Sequence, residues 1–105
     1  MTLNEVREMA LGLPESVEQD HFGKPSFRIG GRIFATVPDG THLNVMIAPF
    51  DVDAVVRAEP ASCATLLWGK EVRGVRVSLS KAAPAMVEEL LRTAWKRKAP
   101  KRLSS

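Results

Sequence analysis

Residues 26–37 read Ser26-Phe27-Arg28-Ile29-Gly30-Gly31-Arg32-Ile33-Phe34-Ala35-Thr36-Val37, or SFRIGGRIFATV. Two runs rich in aromatic and β-branched residues flank a pair of glycines. Such residues fit a pleated, half-buried surface, and adjacent glycines accept the positive φ angles of a two-residue hairpin turn. The stretch predicts two antiparallel strands. Working outward, Gly23-Lys24-Pro25 reads as the preceding turn, with Lys24 extended because a proline follows it. Residues 16–22 alternate weakly in polarity and read as a short edge strand. On the other side, Asp39-Gly40-Thr41-His42 turns the chain into HLNVMIA, where Leu43, Val45 and Ile47 share one face. The result is a meander of neighbouring antiparallel strands.

The flanks supply helices. Thr2 and Glu5 have capping-box spacing, Leu3, Val6, Met9, Ala10 and Leu13 recur at helical period, and Gly12 and Pro14 stop the run. Residues 49–59 predict a short helix with Asp51 as its cap and Val52, Val55 and Val56 inward, ended by Pro60. CATLLWG and GVRVSL read as two further extended segments, the first of which has partly helical character. Val75, Val77 and Leu79 alternate with Arg76 and Ser78, the period of a half-buried strand. The last element is the clearest: Val87, Leu90, Leu91, Ala94 and Trp95 form an apolar stripe on a helix, Pro84 suits its first turn, and Pro100 ends it. The order α-β-β-β-α-β-β-α, with room for one added edge strand, predicts a single α+β domain spanning residues 1–105. It has two layers: one antiparallel sheet of about five strands, packed by helices.

The 105 residues suffice for one hydrophobic core. No apolar run approaches the length of a membrane helix, so no membrane partner is expected. The opening MTLNEVREMA carries acids and lacks the apolar region of a signal peptide. The lone Cys63 rules out an internal disulfide framework, and a cytoplasmic protein is expected. The net charge of +3 is unevenly spread. Lys96, Arg97, Lys98, Lys101 and Arg102 lie in the last ten residues with no acid among them; elsewhere ten basic residues face twelve acids. The basic tail, residues 96–105, thus sets the sign. Cations there also suit the negative end of a helix dipole.

Two histidines and one cysteine, without CxxC or HxxxH spacing, do not make a zinc set, and no cofactor is expected. Cys63 is read as a small core residue rather than the partner of His21 or His42 in a dyad. Ser26 and Ser62 lie in no nucleophile-elbow pattern. No phosphate-binding glycine loop is present. Asp51 with Asp53, and Glu88 with Glu89, read as solvated helix faces. The basic residues carry the functional signal. Lys24, Arg28 and Arg32 surround the glycine hairpin, Arg73 and Arg76 mark another strand, and Lys96 to Arg102 close the chain. Brought to one side, they would suit phosphate contacts. Phe22, Phe27, Phe34 and Trp95 are read as core, leaving no evident base-stacking aromatic. Trp68, before Gly69, is the candidate for an interaction surface.

LPES, DHFGKPSFRIGGRIFATV, WGKE, GVRVSL and the closing ELLRTAWKRKAPKRL together resemble the MmcQ/YjbR family over nearly the whole chain. The resemblance implies a compact fold like that of type III secretion chaperones and frataxin-like proteins. It also implies DNA binding, a label that members of the family commonly carry. Where relatives often have a tryptophan, this chain has Val75. The expectation is a non-enzymatic DNA-binding protein that contacts phosphates through Lys24, Arg28, Arg32, Lys96, Arg97, Lys98, Lys101 and Arg102. The alternatives are a chaperone-like protein-interaction module or homodimer, using a sheet face left bare by the helices, and an enzyme of unrecognised type.

Overall fold

The computed structural model describes residues 1–104 and has one six-stranded sheet backed by helices. The elements are α1 (Leu3–Leu11), β1 (Val17–His21), β2 (Lys24–Ile29), β3 (Arg32–Asp39), β4 (His42–Val45), α2 (Pro49–Ala58), β5 (Cys63–Trp68), β6 (Glu71–Ser78), α3 (Pro84–Lys98) and α4 (Lys101–Ser104). The sheet order is β1-β2-β3-β4-β6-β5, and every pairing is antiparallel. The sixth strand is the edge strand β1. The segment CATLLW is strand throughout, as β5, with no helical part.

Local chemistry explains the boundaries. The Thr2 hydroxyl accepts from the Glu5 amide at 3.2 Å, and the Glu5 carboxylate accepts from the Thr2 amide at 3.0 Å, which completes the capping box of α1. Asp51 does not cap α2. That helix begins at Pro49 after Ala48, without a side-chain cap, because proline already supplies the first-turn φ. Gly30 and Gly31 take φ of 57° and 78° and close the β2–β3 hairpin.

One face of the sheet is buried and the other is open. On β2, Phe27 and Ile29 enter the core while Lys24, Ser26 and Arg28 face the other way. Leu43 and Val45 of β4, and Val75 and Val77 of β6, continue the buried face. A bulge between Phe27 and Arg28 leaves Phe34 unpaired between Ile33 and Ala35, so Phe34 and Ala35 are both buried in succession. Against this face α3 lays its whole stripe of Val87, Leu90, Leu91, Ala94 and Trp95, all buried. Burial of each large side chain contributes about 1.5–3 kcal/mol. The Trp95 indole donates to the Pro14 carbonyl at 3.0 Å, which ties the end of α1 to α3.

Two expectations fail here. Phe22 is not core: it is 91% exposed. The turn lies one residue earlier than the sequence reading places it, at Phe22-Gly23, and Lys24 and Pro25 already belong to β2. The basic stretch from Lys96 to Arg102 is helical on either side of Ala99-Pro100. Lys96, Arg97 and Lys98 form the last turn of α3, the chain breaks at Ala99-Pro100, and α4 follows, with Leu103 packed against the core. Ser105, the last residue of the expected basic tail, lies outside the described residues.

Candidate nucleic-acid interface

The antiparallel order brings distant segments to one end of the sheet. β2 ends, β3 begins, β4 ends and the β5–β6 turn falls at this end. The end of α3 arrives there too: a Cβ built on Gly30 would sit 3.4 Å from the Pro100 ring. A groove of about 520 Å³ starts here and reaches the β1–β2 turn at the opposite end. Its cations are Lys24 and Arg28 from β2, Arg73 from β6, and Arg97 and Lys98 from α3, with Glu71 as its one acid. Ile33, Val37, Met46 and Val72 supply apolar lining, and Trp68 and His21 complete its aromatic edge.

Individual contacts orient these side chains. Ser26 is fully buried although it belongs to the open face. Its hydroxyl donates to the Gln19 carbonyl at 2.8 Å and accepts from Arg28 Nε at 3.2 Å, so the serine fixes the arginine. Arg28 Nη2 also lies 3.5 Å from His21 Nδ1. Arg97 Nη1 donates to the Met46 carbonyl at 2.9 Å, a neutral partner that leaves the guanidinium charge unpaired. Arg73 stacks over the Trp68 ring at 4.6 Å and approaches Glu71 at 3.4 Å.

Among the described residues, Lys24, Arg28, Arg32, Arg97 and Lys98 form no ion pair. Partial burial pushes the Lys98 ammonium below its ordinary pKa, helped by the positive charges of Arg97, Arg32 and Arg73. Like charges gathered in excess of the single Glu71 carboxylate raise the local potential and favour an anion.

The remaining candidates fall elsewhere. Arg32, Lys96 and Lys101 are exposed and outside the groove lining. Arg102 is held in a two-pronged pair by Glu15, at 2.9 Å to each oxygen, which lowers the Glu15 carboxyl and raises the guanidinium. Arg76 faces Asp39 at 3.5 Å. Cys63 is buried on β5 and His21 sits on β1, the two opposite edges of the sheet, so this pair cannot meet. Burial raises the Cys63 thiol. His42 contacts the carboxylate of Asp39 at 3.0 Å in the β3–β4 turn. No three His, Cys, Asp or Glu side chains gather as metal ligands among the described residues. No helix among them is long and apolar enough to cross a membrane.

Sequence reasoning missed the Trp68–Arg73 stack and the exposure of Phe22 and Phe50; Trp68, its interaction candidate, is indeed exposed. A bulky residue before a lone glycine, as in Phe22-Gly23, was the signal available for the first turn. The stack depends on a shift in the β5–β6 register near Leu66 and Leu67, which periodicity does not reveal.

Residues 11–97 match the family model described as YjbR. The chain belongs to the YjbR family. A solved structure that it resembles is that of Deinococcus radiodurans protein DR2400, described with the family-model domain DUF419. The TM-score is 0.80 at 23% identity, over 96% of this chain and 80% of that one. At that identity the likeness concerns the fold, and it bears out the α+β architecture for this YjbR chain. No curated protein matches the sequence.

Proposed function

We propose that this YjbR-family domain is a non-enzymatic nucleic-acid-binding protein that grips the phosphate backbone along the groove without reading sequence. One observation carries the reading: cations from three separated segments line one groove with a single acid among them. Arg32 adds its field to theirs at Lys98. The last turn of α3 delivers Arg97 and Lys98 while its apolar stripe stays buried, so no recognition helix is free to enter a major groove. Affinity then rests on phosphate contacts and falls steeply with salt. A cytoplasmic location accompanies this reading.

The test is fluorescence anisotropy of labelled DNA across a salt series. Lys24→Ala/Arg28→Ala and Arg97→Ala/Lys98→Ala each remove two cations of the groove. Each pair should flatten the log–log salt slope by about 1.4 on single strands or about 1.8 on duplex. Lys96→Ala/Lys101→Ala, outside the groove, should leave the slope in place. Absence of binding at low salt would overturn the reading, as would a slope that depends only on Lys96 and Lys101.

Phe50, Leu67 and Trp68, exposed near the β5–β6 end, favour a second reading, a protein-interaction surface. A defined oligomer in light scattering, lost on Leu67→Ser, would support it.

A further inference from the structure

The groove carries aromatic side chains that phosphate contact alone does not explain. Trp68 lines it and is 56% exposed. The Arg73 guanidinium lies over the ring and restrains its orientation. At the opposite end stands Phe22, between His21 and Lys24, which both line the groove. Its φ is +54°, a left-handed conformation that costs a bulky L-residue roughly 1–2 kcal/mol. In return for that strain the side chain is almost wholly exposed, with its ring edge-to-face with His21 at 4.6 Å between centroids. Neither the core nor solubility gains from such a placement. Strain of this kind, held at the mouth of a cationic groove, belongs with ligand contact.

From these features, and resting on the phosphate-binding reading above, we infer that the groove's ligand is single-stranded nucleic acid, with bases stacking on Trp68 and on Phe22. Aromatic platforms combined with a positive groove are the means by which proteins hold single strands without sequence preference. The six residues of β2 run about 20 Å from the Phe22 turn to the far end of the sheet, at ~3.3 Å per residue. Trp68, on β5, lies four strands across from β2, a further ~19 Å sideways at ~4.8 Å per strand. The two aromatics thus stand at diagonal corners, far enough apart for a strand of about eight stacked nucleotides at ~3.4 Å each. A duplex keeps its base faces stacked inside and offers neither aromatic a partner.

Three labelled ligands of equal length separate the possibilities: a twelve-nucleotide oligothymidylate, the same strand with all bases removed, and a twelve-base-pair duplex. Anisotropy titrations at one low ionic strength use the full chain, Trp68→Ala, Trp68→Phe and Phe22→Gly. The oligothymidylate should bind at least about tenfold more tightly than the abasic strand. Trp68→Ala should weaken it by about 5- to 100-fold and erase most of that preference, with Trp68→Phe retaining most of the affinity. The abasic strand, which has only phosphates to offer, should respond little to either aromatic substitution. Equal affinity for the abasic strand and the oligothymidylate, or a duplex bound as tightly with no response to Trp68→Ala, overturns the single-strand inference. Phosphate binding survives that outcome if the groove-cation variants still flatten the salt slope. No binding to any of the three overturns both.

Discussion

The two hairpin turns of the first three strands use the same backbone and different residues. At Gly30-Gly31 both φ angles are positive, 57° and 78°. At Phe22-Gly23 they are 54° and 82°. The first turn fills both left-handed positions with glycine and packs beside Pro100. The second puts a phenylalanine in one of them and holds it in solvent. The Asp20 carboxylate, accepting from the Gly23 amide at 3.1 Å, helps close this strained turn. Identical geometry therefore separates a turn built to fold from a turn that bears a cost. Both border the groove, Gly31 in its lining and Phe22-Gly23 between the lining residues His21 and Lys24, but only the second offers it an exposed aromatic ring.

The largest test of that contrast falls on the relaxed turn. Gly30→Val forces a β-branched residue to positive φ and sets its Cβ 3.4 Å from the Pro100 ring. A loss of about 2 kcal/mol or more is expected, seen as a fall in melting temperature on the order of 10 °C. Phe22→Gly should act in the opposite sense. Relief of the left-handed strain should raise stability by about 0.5–1 kcal/mol, while single-strand affinity falls. If calorimetry shows a lower melting temperature instead, Phe22 is supported by its contact with His21, and its strain no longer points to a ligand.

The smallest effect is at a third turn. The Asp39 carboxylate accepts from the Thr41 amide and hydroxyl, each at 2.8 Å, and contacts His42, which together hold it well below the usual carboxylate range. A depressed folded pKa contributes stability above the unfolded value, about pH 4, and that contribution fades as pH falls toward the folded value. Asp39→Asn should therefore lower the melting temperature slightly at pH 7, and the gap from the unaltered protein should close progressively below about pH 4. A gap that stays constant down to pH 2 would mean that the contribution of Asp39 does not come from its ionisation.

The contrast also marks how far the sequence was legible. Gly30-Gly31, the capping box and the stripe on α3 are local patterns, and local chemistry sufficed to read them. Phe22 was misread because Gly23-Lys24-Pro25 looks like a turn in isolation. Pairing of His21 with Lys24 moves the turn back by one residue, and pairing is a property of two strands. The site was legible as a set of cations but not as an arrangement. Lys24, Arg28 and Lys98 were visible as charges. That Lys98 joins the groove while Arg102 turns to Glu15 depends on the break at Pro100, which docks the end of α3 beside Gly30. Arg73 gains its place only through the β5–β6 turn and Trp68.

The crowding of Arg32, Arg73 and Arg97 around Lys98 reaches into the handling of the protein. On the phosphate-binding reading, multivalent buffer anions are themselves ligands for such a cluster and would raise apparent stability by mass action while they occupy it. Purification in phosphate or sulfate would load the same side chains that a titration is meant to fill. The constant measured would then be one of displacement. The choice of counter-ion thus belongs to the design of every experiment on this groove, and a monovalent chloride or acetate buffer is the reference against which the others should be read.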